Sequence, residues 1–149
     1  MYSKFLVPLD GSKRAERILP HVEELARLMG AKIVFLQVVE PTYEVVGPHG
    51  SVMDVTLNPL EKREQEAQNY IDGLVGEFSK LGLSVRGFVE RGPVVSTIIH
   101  VAERVGADLI ALASHGRSGL ARVFYGSVAA GILHQVDRPL LIIRSKGEG

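Results

Sequence analysis

The chain has 149 residues, 46% hydrophobic and 23% charged, a composition that suits one globular domain with a sizeable core. Its 17 basic and 17 acidic residues cancel, so a general electrostatic affinity for nucleic acid or an anionic membrane is not expected. With no cysteine, disulfides and thiolate chemistry are excluded, and with no charged-then-apolar leader or long apolar span a soluble cytoplasmic protein is expected.

Residues 4–9 (K-F-L-V-P-L) form an apolar strand candidate, followed by the turn Asp10-Gly11-Ser12, where Ser12 can cap the next helix. Ala15, Ile18, Leu19, Val22, Leu25, Ala26 and Met29 recur at helical spacing, and Gly30 is the stop. Pro20 inside that pattern predicts a kink in a single helix. Residues 32–39 (K-I-V-F-L-Q-V-V) are nearly continuous in apolar side chains, as a strand buried on both faces should be.

Residues 41–59 carry three prolines and two glycines and read as an irregular segment, either a lid or a locally disordered loop. From 60 to 81 a charged half gives way to Tyr70, Ile71, Leu74, Val75 and Phe78, an amphipathic helix ended at Gly82. Residues 83–90 alternate as a third strand at or near a sheet edge. Gly92-Pro93 opens a helix whose apolar members include Val94, Ile98, Val101, Ala102 and Val105, and Gly106 closes it.

Residues 109–113 (L-I-A-L-A) are too few for a helix and read as a buried fourth strand. The chain then turns into Ser114, His115, Gly116, Arg117, Ser118 and Gly119. A last helix starts near Ser127, just after Gly126, and Arg138-Pro139 introduces a final strand over 140–143 before a polar tail.

Strands alternating with helices imply right-handed crossovers and a mostly parallel α/β sheet with helices on both faces. Ligands on such sheets bind beyond the carboxyl ends of the strands, where strand order reverses. Asp10 and Ser114 each lie just past such an end. Glycines at 116, 119 and 126 let the backbone approach closely, and a helix start adds partial positive charge. The segment therefore reads as an anion pocket, with two serine hydroxyls and Arg117 as further donors. The plainer reading is loop punctuation in a chain with 16 glycines.

Neither G-x-x-x-x-G-K-(S/T) nor G-x-G-x-x-G occurs, so a P-loop and a dinucleotide fingerprint are both absent. Asp10 either caps the following helix or accepts a ribose hydroxyl; beside phosphates it would need Mg²⁺ between like charges. No acid is placed beside His115 for general-base work, and His21, His49, His100 and His134 lack metal-ligand spacing. Arg117 and Arg122 are either phosphate partners or solvated charges.

Ala113-Ser114-His115-Gly116, nine residues, then Gly126-Ser127 resembles the G-x-x-G-x9-G-(S/T) pattern of the nucleotide-binding branch of the universal stress protein family. The resemblance runs along the chain through V-P-L-D-G-S at 7–12, L-Q-V-V at 36–39, A-D-L-I at 107–110 and R-P-L-L-I-I at 138–143. It implies a single domain over 1–149 with an open five-stranded parallel sheet of order 3-2-1-4-5, a Rossmann-like α/β fold. It also implies adenine near Val38 and Leu112, with Pro8, Leu9 and Asp10 around the base and ribose. Phosphates would then rest on Ser114, His115, Gly116, Arg117, Gly126, Ser127 and Val128.

One departure stands out: Ala113 replaces the first glycine of the motif, and its methyl would crowd the ligand if the backbone there needs positive φ. The implied ligand is ATP, or AMP or ADP, with Mg²⁺ held through phosphate and Asp10. The implied assembly is a homodimer pairing its last strands antiparallel from Leu140 to Ile143; the alternative is an edge covered by the polar tail. The implied function is a cytoplasmic, ATP-binding regulator of the stress response with at most slow hydrolysis, acting on an unknown protein partner. The alternative is a scaffold of the same fold that binds no nucleotide, which Ala113 favours. An enzyme that activates a substrate with ATP would need a second domain, for which 149 residues leave no room.

Overall fold

Five strands, β1 (Lys4–Leu9), β2 (Lys32–Val39), β3 (Val85–Arg91), β4 (Leu109–Gly116) and β5 (Leu140–Lys146), pair in the order β3-β2-β1-β4-β5, and every pairing is parallel. The structure is a computed structural model that describes residues 2–41, 52–116 and 126–146, without the side chains of 52–58, 115, 145 and 146. The helices are α1 (Leu19–Met29), α2 (Val52–Lys80), α3 (Val94–Val105) and α4 (Gly126–Gln135).

The central strands are apolar at successive positions because both sheet faces are covered. Phe5, Val7, Leu9, Ile33 and Phe35 meet Val22 of α1 and Ile71 and Phe78 of α2 on one face. Leu6, Val34, Leu36, Ile110 and Leu112 meet Ile98 and Val101 of α3 and Ile132 of α4 on the other. Each such side chain, when fully buried, stabilises the fold by about 1.5–3 kcal/mol.

The turn after β1 is built by its own side chains. Asp10 accepts the Ser12 N–H at 2.9 Å, and the Ser12 hydroxyl accepts the Ala15 N–H at 3.1 Å, so Ser12 caps the helical segment as expected. Gly11 sits at φ 85°, a conformation a Cβ would strain.

Four local expectations are corrected. Pro20 does not kink one helix: a 3-10 turn over Ala15–Ile18 precedes α1, and Pro20 falls in the first turn of α1, where a missing N–H costs nothing. Helix α2 begins at Val52 rather than after Pro59, so the irregular segment expected over 41–59 is helical in its last eight residues, and residues 42–51 lie outside those described. Pro59 removes one intrahelical hydrogen bond, which a helix of 29 residues tolerates. The third strand covers Val85–Arg91 rather than 83–90. Strands β4 and β5 each run three residues past their expected ends, because they pair with one another as far as Gly116 and Lys146. Ser114, His115 and Gly116 are therefore strand residues, and the first part of the expected polar tail is strand too.

Asp108 joins the amino ends of β1 and β4. Its carboxylate accepts the Ser3 N–H at 2.8 Å, the Ser3 hydroxyl at 2.9 Å and the Lys4 N–H at 3.0 Å. Burial pushes this carboxyl upward, but the hydrogen bonds from Ser3 and Lys4 outweigh it and hold it below its ordinary value. A folded pKa below the unfolded one means stabilisation that is complete above the unfolded value, about 3.9, and lost as pH falls through the folded one. Asp108→Ala is expected to cost about 1.5–3 kcal/mol at neutral pH. Urea denaturation at pH 7 and at pH 3 checks this, because the gap to wild type should narrow at the lower pH.

Candidate functional site

Strand β1 continues to β2 on one side and neighbours β4 on the other, so the strand order reverses at its carboxyl end. A cavity of about 230 Å³ opens there. It gathers Pro8, Leu9 and Asp10 from β1 and its turn, Val38 from β2, Leu112 and Ala113 from β4, and Ser127 and Val128 from α4. Eight of the residues expected at the site thus come together from segments as far apart as 8 and 128 in the chain.

The remaining expected residues are placed unevenly. Ser114 continues β4 directly above Leu112 on the α3 and α4 face; it is 2% exposed, and its Oγ has no hydrogen-bond partner among the described residues. His115 and Gly116 end β4, and Gly126 opens α4. Arg117 and Arg122 lie outside the described residues.

Four lining residues escaped the sequence reading: Ala15, Val94, Ile98 and Ala129. Val94 and Ile98 lie one turn apart on α3, and that spacing signals only a helix stripe facing a core. No signal in the chain says that the outer end of this stripe lines an opening.

Most of the lining is apolar, with polar groups at its rim. Asp10 keeps one carboxylate oxygen on the Ser12 N–H, which fixes its direction. Ser127 is exposed in the first turn of α4, and that turn carries no acidic side chain. The first N–H groups of a helix have no intrahelical partner and carry partial positive charge. Ala113 lies in extended backbone, since no residue other than glycine has positive φ among those described. Its methyl packs against the core on the α1 and α2 face while the residue also lines the cavity, and its extended backbone carries no positive-φ strain. Among the described residues no group of three or more His, Asp or Glu could hold a metal ion.

An apolar slot beside a helix start can accept a flat ring at one end and an anion at the other. The comparisons bear on that chemistry. The universal stress protein family matches residues 1–144. Universal stress protein MJ0577 of Methanocaldococcus jannaschii is 27% identical, covering 98% of this chain and 97% of its own. The solved structure of MJ0577 superposes with a TM-score of 0.83 over 99% of both chains. A universal stress protein from Archaeoglobus fulgidus in complex with dAMP is 21% identical, with a TM-score of 0.64 over 95% of this chain and 98% of that one. Another, in complex with cAMP, is 20% identical, with a TM-score of 0.62 over 97% and 98%. With a family match that leaves only the last five residues aside and a sheet of the same order, the chain belongs to the universal stress protein family.

Proposed function

We propose that the protein binds an adenine nucleotide, ATP foremost, in the cavity between β1 and β4, and acts as a dimeric, cytoplasmic, nucleotide-dependent regulator of the stress response. The observation that carries this reading is the cavity itself, where an apolar slot meets the start of α4. Pro8, Val38 and Leu112 offer apolar walls for the base, with Leu9 and Asp10 beside the ribose. Ser114, Ser127, Val128 and the backbone of His115, Gly116 and Gly126 are the phosphate ligands in this reading, with Arg117 as a further donor. Mg²⁺, if bound, is held through phosphate oxygens and Asp10. The dAMP and cAMP complexes of fold relatives support a mononucleotide as the ligand class.

Hydrolysis is slow in this reading, because the sequence places no acid beside His115 to make it a base. The dimer forms through β5 in this reading, since among the described residues no strand lies beside its outer edge and its sequence opens L-L-I-I.

Thermal denaturation with increasing Mg-ATP tests the central claim. Ligand at 100-fold excess over its Kd should add about 2.7 kcal/mol of apparent stability. A flat response would sink nucleotide binding and leave the scaffold reading, in which the crevice is unused.

A further inference from the structure

Asp10 and Ala15 stand in the wall of the first cavity, yet the segment that carries them is lightly bonded. In it the Glu16 N–H reaches the Ser12 carbonyl at 3.3 Å, and the Arg17 N–H reaches the Arg14 carbonyl at 3.2 Å. A 3-10 turn makes poorer hydrogen bonds than an α-helix does. The fully buried Ile18 anchors its far end.

Between this segment and α2 lies a second hollow of about 330 Å³. Asp10 and Gly11 of the turn after β1, Gln37 of β2, and Arg63 and Tyr70 of α2 line it. Walls that face an unfilled space forfeit packing contacts across it, so directed bonds matter more there. Tyr70 makes one: its hydroxyl donates from α2 to the Glu16 carboxylate of the turn at 2.5 Å. Burial first, then the hydrogen bond and charge of Glu16, then Asp10 and Glu77, push the ionisation of Tyr70 upward, so the donor keeps its proton at neutral pH. The helix that carries Tyr70 is fastened nearby. Arg63 donates to the Glu40 carbonyl at 2.8 Å, just past β2, and Arg91 at the end of β3 gives two donors to the Glu64 carboxylate.

We infer that Tyr70 is a positioning residue for the nucleotide cavity: its hydroxyl, bonded to Glu16, holds the segment from Asp10 to Ala15 in the form that lines the cavity. The inference rests on the nucleotide reading above. When this bond is absent the segment spends part of its time out of that form, and apparent affinity falls by the fraction that remains competent. Bound nucleotide in turn favours the held form, because the coupling is reciprocal.

Calorimetric titration of the full chain with Mg-ATP is the test. Tyr70→Phe keeps the ring and removes the hydroxyl; it is expected to lose about tenfold in affinity. Glu16→Ala should lose as much, and the double variant no more than either single change, since all three remove one bond. Glu16→Gln keeps an acceptor oxygen and should stay within about threefold of wild type. Amides of residues 11–18 should exchange with solvent faster in free Tyr70→Phe than in free wild type, and alike once Mg-ATP saturates both, because the nucleotide then holds what the tyrosine held. Damage to the fold alone would leave that difference in place at saturation. Undiminished affinity of Tyr70→Phe beside a wild type that binds overturns the inference, as do additive losses in the double variant or an exchange difference that persists at saturation. Absence of binding by wild type is a separate outcome, which overturns the nucleotide reading and this inference with it.

Discussion

Replacing Ser127 with aspartate is expected to abolish the Mg-ATP-induced rise in melting temperature while leaving the free protein at least as stable as wild type. Ser127 is exposed in the first turn of α4, where no acid is present. A carboxylate there complements the partial positive charge of the helix start and adds about 0.3–1 kcal/mol. The same carboxylate repels a phosphate: two like charges about 4 Å apart at an effective dielectric near 20 cost about 4 kcal/mol. That corresponds to a loss of more than about 100-fold in affinity. Stability and binding therefore move in opposite directions, which separates the effect from general damage to the fold. Calorimetric titration of the variant with Mg-ATP is the measurement. Undiminished affinity would place the phosphates away from α4.

Phe35→Ala should lower stability by about 3–5 kcal/mol, the usual range for truncating a buried phenylalanine. Phe35 is 0% exposed on β2, and its ring meets Phe78 of α2 edge to face, with centroids 5.1 Å apart at 85°. Truncation opens a cavity where β2 and α2 dock, and little nearby can collapse into a space under a packed helix. Urea denaturation at fixed protein concentration checks the cost, with Leu28→Ala, 75% exposed, as the control that should change by less than about 0.5 kcal/mol. A double cycle with Phe78→Ala should return a coupling of about 0.5–1.5 kcal/mol for the ring pair. A loss below about 1 kcal/mol would mean that α2 does not rest on β2 in solution.

Much of the fold was legible in local chemistry. The run at 32–39 announced a doubly covered strand, Ser12 a cap, and Gly30 and Gly106 helix ends, each of which takes the left-handed conformation at φ 65° and 70°. Less legible were features that depend on a partner. Pro20 and Pro59 looked like interruptions because isolated proline penalties ignore where the helix begins and how long it continues. Strand β4 looked finished at Ala113 because Ser114, His115 and Gly116 are poor strand formers alone. They are held extended by β5, against Arg144, Ser145 and Lys146.

The candidate site divides the same way. The glycines and serines after the fourth strand, and Asp10 after the first, were visible as residues suited to an anion and a ribose. The strand order that makes them neighbours came from family resemblance, because alternating strands and helices leave strand order open. By itself the chain determined its elements, its parallel sheet and the chemical character of its loops, all consequences of short-range periodicity and backbone preference. Only the tertiary structure decided that Val94 and Ile98 wall the cavity, that Ser114 is buried with no partner among the described residues, and that Gln37 lines a second hollow. Those outcomes depend on contacts between residues distant in the chain, and no local pattern encodes which distant side chain will stand opposite.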